Sequence, residues 1–250
     1  MINKKDNNFI FGIRPIIEAI KSGKTIDKLL IQKGLHNELF SELWKLVRFE
    51  RINYRHVPVE KINSITRKNH QGVLAFISPI EFYNIEHIIP NIYEKGKDPF
   101  ILILDRVTDV RNFGSICRTA ECLGLDAILI PEKNSAAINN EAVKTSSGSI
   151  HHIPICRTWN LKMSLEYIKN SGLQLIGCTE KSSESIYSGN FKNPTAILIG
   201  SEKDGISPEY IKMCDYKFNI PMIGKTSSLN VSVASGIIIS EILRQRNSLN

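Results

Sequence analysis

The pattern of apolar and polar residues changes near residue 100 of this 250-residue chain. Before that point, apolar residues recur at helical spacing in a segment that includes Pro15 and stops at Gly23, which predicts a first half-buried helix. Further patterns predict strands at residues 26–32, 52–57 and 72–78 and helices at residues 39–47 and 60–66. This alternation predicts a small α/β domain over residues 1–78.

From Phe100 onward, short continuous apolar runs alternate with helical patterns, which is typical of a parallel sheet buried on both faces. The runs occupy residues 100–104, 127–130, 173–177, 196–200 and 218–222. A long apolar helix with cations in its last turn is predicted at the end of the chain. We therefore predict an α/β domain over residues 99–250.

Residues 79–98 are predicted to link the two domains, because Pro79 opens the segment and a Lys-Gly-Lys-Asp run closes it. Its middle, residues 84–93, has the pattern of one helix. Pro90 lies inside that helix and is expected to interrupt it, because proline lacks the backbone N–H that a helix interior needs.

The net charge of +7 lies entirely in the first domain. Residues 1–78 contain 14 Lys and Arg against 7 Asp and Glu, whereas the rest of the chain has 18 of each. A basic module of this kind indicates either docking to a polyanion such as RNA or a solvated basic face without a partner. For the first interpretation, the candidate phosphate contacts are Arg14, Lys21, Lys24, Arg67 and Lys68.

Several classes of protein do not fit the sequence. No run of eighteen apolar residues predicts a membrane span, and the first twelve residues resemble neither a signal nor a transit peptide, so a cytoplasmic location is expected. The five cysteines form no CxxC pair, so we expect free thiols, no disulfide framework and no metal site. Neither a Gly-x-Gly-x-x-Gly fingerprint nor a complete P-loop occurs.

Three polar segments follow predicted strands. In residues 104–124 a strand ends at Asp105, and a helix is expected to begin near Asn112 as its N-cap, with Arg118 six residues later. These two residues either serve as a cap and a surface cation or face a ligand at the carboxyl edge of the sheet. The sequence of this segment alone favours the first interpretation.

The second segment, residues 195–207, carries Gly200 and Glu202 after a strand. It is either an ordinary polar turn or a place where a ligand approaches the backbone closely. The third, residues 218–236, leads into residues 227–230, which are expected to open the terminal helix. They are either simple capping residues or donors for an anionic group.

Together the three segments resemble, in order and spacing, the three motifs of the SpoU/TrmH-type RNA 2′-O-ribose methyltransferases. The first motif is similar to NFGSICRTA, the second to ILIGSEKDGIS and the third to IPMIGKTSSLNVSVASG. The amino-terminal stretches FGIRPIIEAI and HQGVLAF resemble the small RNA-binding module of the RlmB-type enzymes, which methylate a guanosine of large-subunit (23S) ribosomal RNA. The positions matched to the motifs are Asn112, Gly114, Arg118, Gly200, Glu202, Gly205, Ile220, Pro221, Ser228, Leu229 and Asn230.

The resemblance implies a fold, a cofactor and an assembly. The carboxyl-terminal domain is expected to be a trefoil-knotted SPOUT methyltransferase domain, which periodicity alone does not predict. S-adenosylmethionine is expected in the knot, and a homodimer is expected to build each active site from both copies. The implied cofactor-binding residues are Thr179, Gly200, Ile220, Met222, Ser228 and Leu229, and the implied catalytic residues are Asn112, Arg118, Glu202, Ser228 and Asn230.

The chemistry and the substrate leave alternatives. The resemblance implies a role for Arg118 in removing the hydroxyl proton, and two roles stay open. Arg118 is either the general base or, since a guanidinium normally stays protonated, a group that binds the adjacent phosphate and stabilises an alkoxide while another group accepts the proton. Ribosomal RNA is the favoured substrate. The alternatives are the same reaction on transfer RNA and a non-catalytic RNA-binding protein of ribosome assembly on the same fold.

Overall fold

The computed structural model describes residues 9–226 and 228–247. These residues form two compact units. The smaller unit comprises the described residues up to Glu81 together with Ile138–Glu141, and the larger unit comprises Phe82–Ala137 and the described residues from Ala142 onward. Most of the predicted linker therefore lies in the larger unit.

The smaller unit is a four-stranded mixed sheet with three helices. Its elements are β1 (Phe9–Phe11), α1 (Ile13–Lys21), β2 (Ile26–Gln32), α2 (Glu38–Phe49), β3 (Tyr54–Val57), α3 (Val59–Asn63) and β4 (Val73–Ile77). The strand order is β1-β4-β2-β3, with β4 antiparallel to both neighbours and β3 parallel to β2. The predicted helices and strands of this unit are confirmed, and β1 is an additional strand of only three residues.

Helical spacing explains how the smaller unit buries its core. Ile13, Ile16 and Ile17 lie on one face of α1 and pack in a cluster with Leu29 of β2 and Leu43 of α2. Burial of each such side chain contributes about 1.5–3 kcal/mol. The polar face of α1 is left exposed, and that face carries its cations.

The larger unit is built on a six-stranded parallel sheet. Its elements are α4 (Ile85–Glu94), β5 (Phe100–Leu104), α5 (Val110–Cys122), β6 (Ala127–Pro131), α6 (Asn140–Thr145), β7 (Ile155–Thr158), α7 (Leu161–Asn170), β8 (Gln174–Cys178), β9 (Thr195–Ile199), α8 (Pro208–Ile211), β10 (Tyr216–Phe218) and α9 (Val231–Asn247), with short 3-10 turns at Ser149–His151 and Ile186–Ser188. The strand order is β10-β8-β9-β5-β6-β7, and every pairing is parallel. Every residue of the central strands β5 and β9 is buried, which confirms the predicted sheet covered on both faces.

The prediction that Pro90 interrupts its helix is wrong. The helix α4 continues through Pro90 to Glu94, and Ile85 and Ile89 pack in the core of the larger unit. Proline leaves the carbonyl of Glu86 without its usual helical donor. The hydroxyl of Tyr167 donates to this carbonyl at 3.3 Å, so the lost hydrogen bond is replaced from α7.

The last predicted strand, residues 218–222, is also wrong in its extent, because β10 ends at Phe218. Phe218 pairs with Cys178, the final residue of β8, and beyond it the described residues continue the pairing by one isolated bridge, between Asn219 and Ser185. The following residues are thereby free to form a loop at the carboxyl edge of the sheet. None of the described helices is long and apolar enough to cross a membrane.

Candidate functional site

The site lies at the carboxyl edge of the two central strands, where the chain leaves β9 through residues 200–207, here called the β9 loop. Gly200 is buried, and a Cβ at this position would overlap the backbone of Gly205 and Ile206. Ser201 and Gly205 pair across the loop, and Gly205 has φ +65°. The close backbone approach expected at Gly200 is therefore made by the chain itself.

A buried carboxylate anchors the β9 loop to β5. Asp105 is only 2% exposed, and its Oδ2 accepts hydrogen bonds from both the backbone N and the Oγ of Ser207, each at 2.7 Å. Arg106 pairs with Asp105 at 3.2 Å and donates to the carbonyl of Gly205 at 3.0 Å. The second half of the loop is thus held by the two residues that follow β5 directly.

Three side chains from distant parts of the chain form a closed triangle of hydrogen bonds, here called the amide–carboxylate triangle. Asn112 Nδ2 donates to Glu202 Oε1 at 2.7 Å. Asn230 Nδ2 donates to the same Glu202 oxygen at 2.9 Å and to Asn112 Oδ1 at 3.0 Å. Two amides therefore hold one carboxylate oxygen, and the Oε2 of Glu202 has no hydrogen bond within the described residues.

Helix caps orient two members of the triangle. The predicted N-cap role of Asn112 is wrong, because α5 begins at Val110 and Asp109 accepts the Asn112 backbone N–H at 2.8 Å. Asn112 is consequently a residue of the first turn, and its side chain is free to reach Glu202. Asn230 caps α9, with its Oδ1 accepting from the backbone N of Ser232 at 2.9 Å.

The terminal helix begins later in the third segment than the sequence predicted. The helix α9 begins at Val231, so Ser228 and Leu229 belong to the preceding loop, and Ser227 lies outside the described residues. Among the described positions of this segment, Asn230 acts as the cap. Leu229 is exposed on this loop rather than packed as a helical core residue.

A cavity of about 630 Å³ adjoins the triangle. Glu202 lines it, together with apolar side chains from β9, β10 and α9 such as Ile199, Phe218 and Ile238. Burial raises the pKa of the Cys178 thiol, which also lines the cavity, so this thiol stays neutral. All six positions named for the cofactor border this cavity: Thr179, Gly200, Ile220, Met222, Ser228 and Leu229.

Arg118 lies apart from the triangle. It is exposed, it does not border the cavity, and it has no partner among the described residues. It lies six positions after Asn112, which places it about 9 Å further along α5 and roughly 240° around the axis. The structure therefore brings together Asn112, Glu202 and Asn230 and leaves Arg118 on another face.

The five cations named for RNA are all exposed on the smaller unit. Lys21 pairs with Glu42 at 2.9 Å, and this contact raises the pKa of Lys21. Gln71 accepts the backbone N–H of Ile13 at 3.0 Å, so the loop that carries Arg67 and Lys68 is tied to the start of α1 near Arg14. Lys24 follows the far end of that helix.

Sequence reasoning missed the residues that support the site. Asp105 anchors the β9 loop by accepting hydrogen bonds from Ser207, about a hundred residues away in the sequence. Asp109 caps α5 by accepting the backbone N–H of Asn112. An aspartate placed directly after a buried strand was the available signal. Among the described residues, no group of three or more His, Cys, Asp or Glu side chains is arranged to hold a metal ion.

Comparison with known families matches both units of the chain. Residues 99–240 match the SpoU rRNA Methylase family. Residues 9–83 match the family described as RNA 2′-O ribose methyltransferase substrate binding. The substrate-binding match ends inside the predicted linker, at residue 83, and the methylase match begins directly after the linker, at residue 99.

Relatives of known sequence and structure resemble nearly the whole chain. A TrmH family tRNA/rRNA methyltransferase of Staphylococcus saprophyticus is 37% identical over 95% of this chain and 96% of its own length. YacO of Bacillus subtilis, which carries the same family name, is 32% identical over 97% of this chain and 98% of its own length.

Among solved structures, the SpoU methyltransferase AviRb from Streptomyces viridochromogenes, in complex with the cofactor AdoMet, is similar with a TM-score of 0.62 and 26% identity. The similarity covers 96% of this chain and 90% of AviRb. Sequence, fold and the matched regions agree, and the chain belongs to the SpoU rRNA methylase family.

Proposed function

We propose that the chain is an enzyme that transfers the methyl group of S-adenosylmethionine to a ribose 2′-hydroxyl of RNA. The observation that carries this proposal is the amide–carboxylate triangle at the mouth of a cavity of about 630 Å³. The triangle presents a fixed carboxylate beside a space for a small molecule. Membership of a family of RNA methyltransferases supports the same assignment.

The cavity residues fit an adenosyl cofactor. The volume of the cavity lies within the range of roughly 300–1,000 Å³ that is typical of small-molecule sites. Ile220, Met222 and Leu229 supply apolar surface for a base and ribose, while Thr179 and Ser228 supply hydroxyl groups. AviRb, the structural relative, was solved with AdoMet. When bound, the cofactor supplies an electrophilic methyl group on a sulfonium.

The triangle has a positioning role in this reaction. The two amides of Asn112 and Asn230 occupy Glu202 Oε1 and hold the carboxylate in one orientation. Its Oε2 is then available to accept a hydrogen bond from the ribose hydroxyl, which aligns that oxygen for in-line attack. As the ribose oxygen takes the methyl group, its proton would pass to Glu202 Oε2.

We propose that Arg118 acts in the active site of a second copy of the chain. Its exposed guanidinium has no partner among the described residues, and Arg118 lies on a different face of α5 from Asn112. Val233 of α9, the helix that packs on α5, also exposes an apolar side chain. In a homodimer Arg118 would bind the phosphate beside the target ribose and stabilise the developing alkoxide.

The smaller unit is proposed to bind the RNA substrate through residues 1–78, with catalysis in residues 99–250. The match of residues 9–83 to substrate-binding domains and the net charge of +7 over residues 1–78 support this division. We favour a guanosine of 23S ribosomal RNA as the target and the cytoplasm as the location. The relatives carry names that cover both transfer and ribosomal RNA, so the assay must include both. The trefoil knot stays a prediction.

Mapping of 2′-O-methylation on ribosomal and transfer RNA, with and without the gene, tests this function. We expect one ribose in ribosomal RNA to lose its methyl group and to regain it when the gene is restored. Restoration with a Glu202→Gln variant should fail. An unchanged methylation map, or a purified protein that does not bind S-adenosylmethionine in calorimetry, would leave only an RNA-binding role.

A further inference from the structure

A second, smaller cavity lies at the same edge of the sheet, beyond the ends of β5, β6 and β7. Its volume is about 260 Å³, and Asp105, Pro131 and Trp159 mark the three strand ends that border it. Arg106 also lines this cavity, and its guanidinium contacts Gly205 and Asp204, which line the cofactor cavity. The two cavities are therefore neighbours connected through Arg106.

Trp159 is the unusual feature of the second cavity. Its side chain is 69% exposed, although tryptophan is highly buried on average. Within the described residues its ring makes no aromatic or cation–π contact. The backbone on either side is ordered, because Thr158 Oγ1 accepts the N–H of Asn160 at 3.2 Å and Asn160 caps α7. The ring is thus an exposed apolar plane on a rigid support.

The charges around Trp159 favour an anionic ligand. The cavity is lined by two cations, Arg106 and Lys133, and by one buried anion, Asp105. Both Ser207 donors and Arg106 already engage the Asp105 carboxylate. Lys133 is exposed and forms no ion pair with any described residue. An ammonium group beside an unpaired indole is consequently available to a ligand.

We propose that this cavity is a second nucleotide subsite, in which Trp159 stacks on an unpaired base of the RNA strand and Lys133 contacts a phosphate next to that base. Sites for single-stranded nucleic acid combine these two elements, since every base has a face that stacks on an aromatic ring. The proposal rests on the proposed function and adds to it a contact outside the target ribose. Through Arg106, it places the stacked base next to the β9 loop.

Tryptophan fluorescence tests the stacking directly. The chain has two tryptophans, so a Trp44→Phe variant leaves Trp159 as the single reporter. Acrylamide should quench this emission in the free protein, and an oligoadenylate of about twelve nucleotides should quench it as a base stacks on the ring. A duplex of equal length should quench it far less. A reporter shielded from acrylamide would mean that a protein surface or a second copy covers Trp159, and would overturn the proposal.

Binding of labelled oligoadenylate to side-chain variants supplies the second readout in the wild-type background. Trp159→Leu should weaken binding about tenfold, Trp159→Phe should restore most of it, and Lys133→Ala should weaken binding and lower its salt dependence. Tyr187→Leu, a matched change at an exposed aromatic residue of the larger unit that borders neither cavity, should leave affinity unchanged. Equal affinity of the wild type and Trp159→Leu would overturn the subsite.

The two proposals fail separately in this design. Calorimetry with S-adenosylmethionine and methyl transfer to RNA report on the proposed function without involving Trp159. If both activities are present while Trp159→Leu binds oligoadenylate normally, the subsite is wrong and the methyltransferase assignment stands. If Trp159 responds to oligoadenylate but no cofactor binds, the stacking site is retained on a protein that does not methylate RNA.

Discussion

The side-chain amide of Asn112 donates a 2.7 Å hydrogen bond to Glu202, 90 residues further along the chain. The bond joins the first turn of α5 to the β9 loop, and Asn230 closes the triangle from the cap of α9. Hydrogen bonds to a charged group contribute about 1.5–3 kcal/mol, more than bonds between neutral groups. The triangle therefore fixes one carboxylate through two amide donors that are themselves hydrogen-bonded to each other.

Replacement of Asn112 by aspartate should greatly slow methyl transfer and leave cofactor binding nearly unchanged. The variant keeps the size of the side chain but removes the donor and sets a second carboxylate against Glu202. We expect a rate about a hundredfold lower in single-turnover transfer, with cofactor affinity nearly unchanged. Asn190→Asp is the control, because Asn190 uses only its carbonyl oxygen toward Lys192. A normal rate for Asn112→Asp would contradict the role of the triangle.

Arg118→Lys should retain cofactor binding and lose most turnover, because an ammonium group cannot reproduce the bidentate geometry of a guanidinium. The proposal that Arg118 acts in the active site of the second copy is tested by mixing two inactive variants. Arg118→Ala and Glu202→Gln dimers should each be inactive, whereas subunits exchanged at equal amounts should recover about a quarter of wild-type activity. Recovery is expected because each mixed dimer contains one intact site. No recovery after demonstrated exchange would place Arg118 outside the partner's site.

RNA binding by the full chain should weaken steeply with salt, because cations that neutralise phosphates release counterions. The Arg67→Ala/Lys68→Ala double variant should lower the slope of log affinity against log salt by about 1.5. Lys24→Ala should have a larger effect than Lys21→Ala, since Lys21 is already paired with Glu42. Lys192→Ala, an exposed cation of the larger unit, serves as the control. A flat salt response would exclude electrostatic docking.

Gly200→Ala should destabilise the fold, because the new Cβ would overlap the backbone of Gly205 and Ile206. Overpacking of this kind costs about 1–3 kcal/mol. Urea unfolding measures the loss, and cofactor affinity should fall with it because the β9 loop has to shift. Gly224→Ala is the matched control, since no atom lies within 4 Å of its added Cβ. Equal stability of the two variants would contradict the geometry of the β9 loop.

Iodoacetamide at pH 8 should modify one cysteine rapidly, as measured by intact mass. Cys122 is exposed, whereas burial raises the pKa of Cys156 and Cys214 to about 12 and that of Cys117 and Cys178 further. Raised pKa values leave almost no thiolate, which is the nucleophile. Cys122→Ser should therefore abolish the fast reaction. Fast modification of a second thiol in the folded protein would contradict the burial of these residues.

The local sequence pattern was sufficient to predict the elements whose buried residues recur at a regular spacing. The predicted strand at residues 26–32 matches β2, and the run at residues 100–104 matches β5. The resemblance to the methyltransferase family also implied six cofactor positions, and all of them border one cavity. Pro90 and β10 were mispredicted because the outcome depended on Tyr167 and on where β8 ends, neither of which is near in sequence.

By itself the sequence determined the order of helices and strands, the buried parallel sheet and the identity of the polar residues that follow it. Their periodicity and composition are local properties of the chain. Only the tertiary structure decided which of those polar residues meet: Asn112, Glu202 and Asn230 do, whereas Arg118 does not. The physical reason is that a side chain's direction depends on the turn of helix it occupies and on the packing of elements about a hundred residues apart.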